Sequence, residues 1–344
     1  RLSLAGSPAT RARKRCAFVA GLPMRFKATF GAPQQLSKLI QTLDKLADTC
    51  VVRLTPELLR FGVVSDGKES LHVCCEVNQK TVFLEYLVQS QAVNNEIAFF
   101  VKVDNLSRAL RSCCSSGTEH IQLKLKKKQG QPALSFEIQE SEMQVLHEVP
   151  IRIVTDFREV QHYTDPPVEA DADDATVAVI FPSKEFKGLK NVVERMRSVN
   201  DWMRLTTSRG AANDSKAGGG GEIDGSGTAE LQLLVEKPEL VKIQTTYPKL
   251  GLYTFDDPDE IGSTPIRADH HTVPCAPAES ASASVEVKKL LRVLQSLSIS
   301  DLKIQNAIVC IVPGSVVILK IFLPDAMQQS SMTYYLPVMS GGDD

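Results

Sequence analysis

A chain of 344 residues has room for about two domains, each with its own core. Hydrophobic residues make up 43% and charged residues 23%, with a formal net charge of −2, which excludes wholesale disorder. The longest apolar stretch, AIVCIV followed by SVVILKIF, is broken by Pro313, Gly314 and Lys320 and falls short of the roughly 18 residues a membrane span needs.

In chain order, residues 1–23 carry RARKR and no acidic side chain, and are expected to be a disordered basic leader, a dispensable tail, a transit peptide or a nuclear signal. Met24 opens the alternating strand MRFKATF, and QQLSKLIQTLDKLA then shows helical spacing, with Pro33 in its first turn. Several strands and the helix DNLSRALRS complete a first unit, expected over 24–155. DFREVQHYTDPPVEADADDA, with two prolines and clustered acids, reads as an interdomain connector over 156–175.

A second unit over 176–338 starts the same way, with the strand VAVIF and the helix SKEFKGLKNVVERM, for which Ser183 is the expected N-cap. It carries the helix VKKLLRVLQS and two strands joined by a Pro-Gly turn at Pro313 and Gly314. Two stretches cannot bury a core and are expected to be loop insertions: the Gly-rich run 209–227 and the Pro, Ser and Ala-rich run from about 256 to 282. Residues 339–344 are a short tail.

The two units are copies. VKVDNLSRALRS, from Val101, returns as VEVKKLLRVLQS, from Val285, at an offset of 184. Leu36, Leu39, Leu43 and Leu46 return as Phe186, Leu189, Val193 and Met196 at an offset of 150. The difference of 34 residues matches extra chain in the second copy, where the insertions lie. The expected fold class is α+β, one unit of strand, helix, strands, helix and strands used twice.

If each helix lays its apolar stripe on a sheet, the opposite face is strongly basic. It presents Lys38 and Lys45; Arg108 and Arg111; Lys184, Lys187 and Arg195; and Lys288, Lys289 and Arg292. The four helical segments hold twelve Lys/Arg against six Asp/Glu, whereas the rest of the chain holds 27 against 35. One such helix means little, since basic residues on solvated faces are common. Four in duplicated positions point to a surface facing phosphates. With 6% aromatics, mostly at strand positions, neither base stacking nor groove reading is indicated, so nonspecific contact with a phosphate backbone alone is expected.

Catalytic motifs are missing from the sequence. GGGG at 218–221 lacks the Lys and Ser/Thr of a phosphate loop, and neither GxSxG nor HExxH occurs. His270, His271 and Cys275 form the one cluster resembling a metal site, in low-complexity surroundings and without a fourth ligand. Asp171, Asp173 and Asp174 in the connector read as a solvated acidic linker rather than a Mg²⁺ site. Eight cysteines include two adjacent pairs and no CxxC, the usage of reduced thiols in a nuclear or cytosolic compartment. The expectation is a protein without metal or cofactor that is not an enzyme.

LADTCVVRLTPELLRFGV at 46–63, NNEI at 94–97, DNLSRAL at 104–110, HEVPIRIV at 147–154, VKKLLRVLQ at 287–295 and TYYLPV at 333–338 together resemble the Hus-type subunit family of the heterotrimeric DNA-damage checkpoint clamp, a relative of PCNA. The Gly-rich insertion, the run around HHTVPCAPAESASAS, the basic leader and YPKLGLYTF depart from that pattern. The resemblance implies a DNA-clamp fold and a non-catalytic nuclear subunit. Such a subunit forms a heterotrimeric ring with two different clamp subunits around double-stranded DNA, is placed there by an ATP-driven clamp loader, and displays repair and checkpoint signalling proteins.

It further implies two subunit edges, one at Met143, Val145 and Val149 and the other at Leu240, Lys242, Ile243 and Thr246. A client pocket is implied at Tyr335, Leu336 and Pro337, although alternation along SMTYYLPV equally fits a strand that buries one face. The rival readings are a homotrimeric replication clamp and, from another class, a duplicated hydrolase using the acidic connector.

Overall fold

The computed structural model describes residues 24–65, 70–114, 118–140, 143–154, 156–164, 177–210, 228–253, 279–324 and 330–339. The leader, the acidic part of the connector with Asp171, Asp173 and Asp174, most of both insertions with His270, His271 and Cys275, and the last five residues lie outside the described residues.

The first copy runs β1 (Arg25–Phe30), α1 (Pro33–Asp44), β2 (Thr49–Leu54), β3 (Leu58–Val64), β4 (His72–Asn78), the one-turn helix α2 (Gln79–Val82), β5 (Phe83–Gln89), β6 (Ile97–Lys102), α3 (Val103–Ser112), β7 (Thr118–Lys128), β8 (Gln131–Glu140) and β9 (Met143–Ile153). After α4 (Phe157–Thr164) the second copy runs β10 (Ala178–Pro182), α5 (Phe186–Met196), β11 (Trp202–Arg209), β12 (Thr228–Lys237), β13 (Val241–Tyr253), β14 (Ser280–Glu286), α6 (Val287–Ile299), β15 (Asn306–Val312), β16 (Val316–Phe322) and β17 (Ser331–Pro337).

The copies differ at one corner. In the first, the chain passes from one sheet to the next through Asn78, whose side chain accepts from the Lys80 amide and caps α2. In the second, β13 does both jobs without a break, pairing with β12 through Val241–Gly251 and with β10 through Gly251–Tyr253. At the other corner of the first copy β9 pairs with β8 and then, from Ile151, with β6.

All strand pairs are antiparallel, and alternation sends one face inward. From β2 and β6, Cys50, Val52, Phe99 and Val101 join the main core under the helices, while Val51, Ala98 and Phe100 form a smaller cluster on the other face with Val154 and Val160. Cys74 and Cys75 point to opposite faces for the same reason; Cys75 is buried in the core and Cys74 is half-buried. Burial pushes the Cys50 and Cys113 thiols up to about 12, which keeps both protonated and poorly nucleophilic.

The helices bury the stripes their spacing dictates: Leu36, Leu39, Ile40 and Leu43 on α1, and Phe186, Leu189, Val193 and Met196 on α5. Pro33 stands at the start of α1, where a missing amide hydrogen is harmless. Ser183 does not cap: it opens a short 3₁₀ turn, Ser183–Glu185, that leads into α5, and Glu185 occupies the N-cap without a side-chain hydrogen bond. The β15–β16 hairpin closes Val312 on Val316 through Pro313-Gly314-Ser315, with Gly314 at φ +70°, a conformation glycine adopts without strain.

Candidate functional site

The four long helices form one layer. α3 packs on α1, α1 on α6, and α6 on α5, so helices of both copies stand in a single row. The α1–α6 contact is the seam between the copies and is polar. Thr42 Oγ1 lies 2.7 Å from Ser300 Oγ, the Lys38 ammonium reaches Asp301 Oδ2 at 3.2 Å, and Arg292 Nε donates to the Lys45 carbonyl at 3.0 Å.

Of the ten basic residues read from the sequence, Lys45, Arg108, Arg111, Lys184, Lys187, Arg195, Lys288 and Arg292 are exposed. Lys38 and Lys289 are half-buried, which departs from the expectation of free positions. α1 has a helix on each side, so Lys38 faces the seam and pairs with Asp301, while Lys289 folds back on Glu286 at 3.2 Å. Arg108 and Lys288 pair with Asp104 and Asp201 at 2.7 and 3.2 Å, but exposed pairs are worth about 1 kcal/mol or less and yield readily to a phosphate. Two exposed cations escaped the sequence reading, Lys102 at the N-cap of α3 and Arg197 at the C-cap of α5. Cap residues stand outside a helical wheel; their signal was adjacency to the wheel.

Under the helices the copies are joined by β17 pairing with β4, from Ser331 opposite Glu76 to Tyr335 opposite His72. β17 is the last strand of the second copy and β9 the last strand of the first; β4 and the first half of β13 are the third strand after the first helix of their copies. The internal junction therefore uses one member of each pair. Among the described residues the outer edges of the other two, β9 over 143–150 and β13 over 241–250, have no neighbour.

Their side chains differ accordingly. Val73, Cys75 and Val77 of β4 are buried, whereas Met143 is 64%, Leu146 53% and Ile243 36% exposed. Of the edge residues read from the sequence, Lys242, Ile243 and Thr246 lie on β13 and are exposed, and Val145 is half-buried on β9. Val149 is instead a core residue. Leu240, 73% exposed, sits in the turn between β12 and β13, because the strand begins one residue later.

On the outer face of the β4–β17 junction, the His72 and Tyr335 rings stand 5.7 Å apart. α4 docks beside them: His72 Nε2 lies 2.8 Å from the Tyr163 carbonyl, and the Tyr163 ring meets Phe100 edge-on at 5.3 Å. This helix, at the start of the connector, was not foreseen. Gly62 makes room for it, since a Cβ there would sit 2.2 Å from the Tyr163 carbonyl oxygen. Tyr335 and Pro337 are half-buried on this side, and burial pushes the Tyr335 phenol up. Leu336 is not with them. Alternation turns it into the main core, fully buried, so it lines no surface pocket.

The chain matches the family of Hus1-like proteins over residues 24–340. It is similar to the checkpoint protein hus1 homolog of Dictyostelium discoideum, 27% identical with 92% of this chain and 99% of that protein covered. It is also similar to checkpoint protein hus1 of Schizosaccharomyces pombe, 26% identical over 91% and 98%, and to checkpoint protein HUS1 of Homo sapiens, 24% identical over 92% and 100%. Among solved structures, PCNA from Thermococcus kodakaraensis superposes with a TM-score of 0.58 at 15% identity, covering 91% of this chain and 100% of that one. Proliferating cellular nuclear antigen from Entamoeba histolytica gives 0.58 at 12%, covering 91% and 98%. The duplicated unit, the continuous helix row and the match along 24–340 agree: the fold is the PCNA-like clamp fold, and the chain belongs to the Hus1-like protein family.

Proposed function

We propose that this chain is a non-catalytic subunit of a heterotrimeric ring that encircles double-stranded DNA in the DNA-damage checkpoint and displays repair and signalling proteins in the nucleus. The observation that carries this reading is the β4–β17 junction together with its unused counterparts. A strand edge left open with apolar side chains beside it gains backbone hydrogen bonds and buries apolar surface by adding a neighbour's strand. β9, with Met143 and Val145, takes one partner subunit; β13, with Lys242, Ile243 and Thr246, takes a second and different one.

In such a ring the helix row faces the hole, and its exposed lysines and arginines meet phosphates. Contact limited to phosphates suits a ring that slides, because base-reading hydrogen bonds would break at every step. An ATP-driven loader places the ring on DNA. Clients dock on the outer face of the junction around Tyr335 and Pro337, with the connector alongside. The acids Asp171, Asp173 and Asp174 favour clients with basic residues next to a hydrophobic motif.

Pairwise pulldown with each candidate partner subunit tests the edges. Ile243→Asp places a charge in the strand-addition site and is expected to abolish one contact while leaving the other intact. Retention of both contacts places the seam elsewhere.

A further inference from the structure

At the end of β17 remote from Tyr335 and Pro337, the junction between the copies opens into a cleft of about 200 Å³. Its walls come from both copies: Leu36 and Leu39 of α1 and Val77 of β4 on one side, Leu302 after α6 and Leu323 with Pro324 after β16 on the other. The Ser330 hydroxyl accepts from the Asn78 amide at 3.1 Å and ties the two sides together at its base.

The volume is below the roughly 300 to 1,000 Å³ of sites that enclose a drug-sized molecule, and suits one large side chain. Among the described lining residues the charges share one sign: Lys38 and Lys303 are accompanied by Gln34 and Gln35, and none of the described lining residues is a carboxylate. Lys303 is exposed and makes no ion pair among the described residues. Lys38 is held by Asp301, whose carboxylate is almost fully exposed and is not part of the lining. α1 begins here with no acidic residue in its first turn and no side-chain cap from Ala32, so the positive end of its dipole is uncompensated.

We propose that this cleft is a docking site for an extended peptide segment carrying one large apolar anchor flanked by carboxylates. The anchor fills the space between Leu36, Leu39 and Leu323, and the flanking acids meet Lys303, Lys38 and the start of α1. The site lies on neither open strand edge, so it stays accessible when neighbours add to β9 and β13. Tyr335 lies five residues along the strand from Ser330, and at roughly 3.3 Å per residue this puts about 16 Å between the cleft and the Tyr335 surface. Two segments of one client, or two clients of opposite charge preference, therefore fit on a single subunit at once.

The test is fluorescence polarisation with the full chain and two labelled probes, Asp-Glu-Phe-Glu-Asp and Lys-Lys-Phe-Lys-Lys. The acidic probe is expected to bind and the basic probe not. Lys303→Glu, on an exposed side chain that leaves the fold intact, should weaken the acidic probe about tenfold, a difference of about 1.4 kcal/mol, while Tyr335→Ala leaves it unchanged. Equal binding of both probes, no binding at millimolar concentration, insensitivity to Lys303→Glu, or loss with Tyr335→Ala would each overturn the proposal, as would concentration-dependent dimerisation of the chain that competes with the acidic probe.

Discussion

Lys320 is the clearest case of a single residue at odds with its surroundings. It stands on β16 opposite Thr333 and Ile308, with its ammonium 5.2 Å from the centre of the Phe322 ring. Burial pushes its pKa down, opposed by the Glu76 carboxylate. Below the folded-state value the charged form carries its full desolvation penalty in the native state. As pH rises from there toward the ordinary lysine value of 10.5, the unfolded chain holds the proton more than the folded one does, so stability rises with pH across that window. Lys320→Met removes the penalty, and thermal unfolding at pH 7 should show a gain of about 1 kcal/mol; a lower melting temperature would show that the ammonium has a stabilising partner.

The Arg53–Glu96 pair has the opposite sign. Glu96 is buried and takes a two-pronged contact from the guanidinium, with Nη2 at 3.0 Å from Oε2. Breaking a buried pair leaves a desolvated charge behind, so Glu96→Ala should destabilise the chain by about 3 kcal/mol in urea unfolding. The NNEI string that helped to carry the family resemblance thus has a structural cause. Asn94 and Asn95 adopt positive φ, and the Asn95 side chain accepts from the Ser90 amide and donates to the Val88 carbonyl. The turn they make delivers Glu96 to Arg53.

At the scale of elements, helical spacing was legible wherever an apolar stripe faced a sheet, which is why α1, α3, α5 and α6 were visible from Leu36, Leu106, Phe186 and Leu290 onward. Contacts made after packing were not. The polar α1–α6 seam depends on two helices 258 residues apart in sequence at Thr42 and Ser300, and nothing local to either announces it. That seam explains why Lys38, a free position on an isolated helical wheel, is half-buried and paired. α4 escaped because Phe157, Val160 and Tyr163 span only about two turns at the head of a stretch whose prolines and acids read as a connector, and the helix docks on Gly62 and Phe100. Leu336 shows the reverse error: a residue assigned by resemblance to a pocket was already placed in the core by alternation along SMTYYLPV. For the helix row, reversing Lys184, Lys187, Arg195, Lys288 and Arg292 to Glu should abolish measurable duplex binding at moderate salt without changing the melting temperature. The unaltered ring should lose affinity linearly on a log–log plot against salt, with a slope of about −0.9 per phosphate contacted. Binding that survives the reversal would move DNA off this surface.

At the scale of the whole molecule, the chain completes one junction inside itself, and the proposed ring makes its two open strands the halves of two more. The internal junction, strand β17 on β4 under helix α1 on α6, is the template that the proposed ring repeats at each end. The two ends are not equivalent to each other. β9 offers Met143 and Leu146 beside α3, whereas β13 offers Val241, Lys242 and Ile243, and the proposed ring gives each end a different neighbour. The duplication itself was legible as repeated strings; the open strands were reached only through the family resemblance, because openness is a property of the folded chain and of the one junction it completes internally. The most direct test is native mass spectrometry of the purified chain, alone and mixed with two different clamp subunits. The account predicts a single copy of the chain when alone and a one-to-one-to-one assembly in the mixture; a stable trimer of this chain by itself would contradict it.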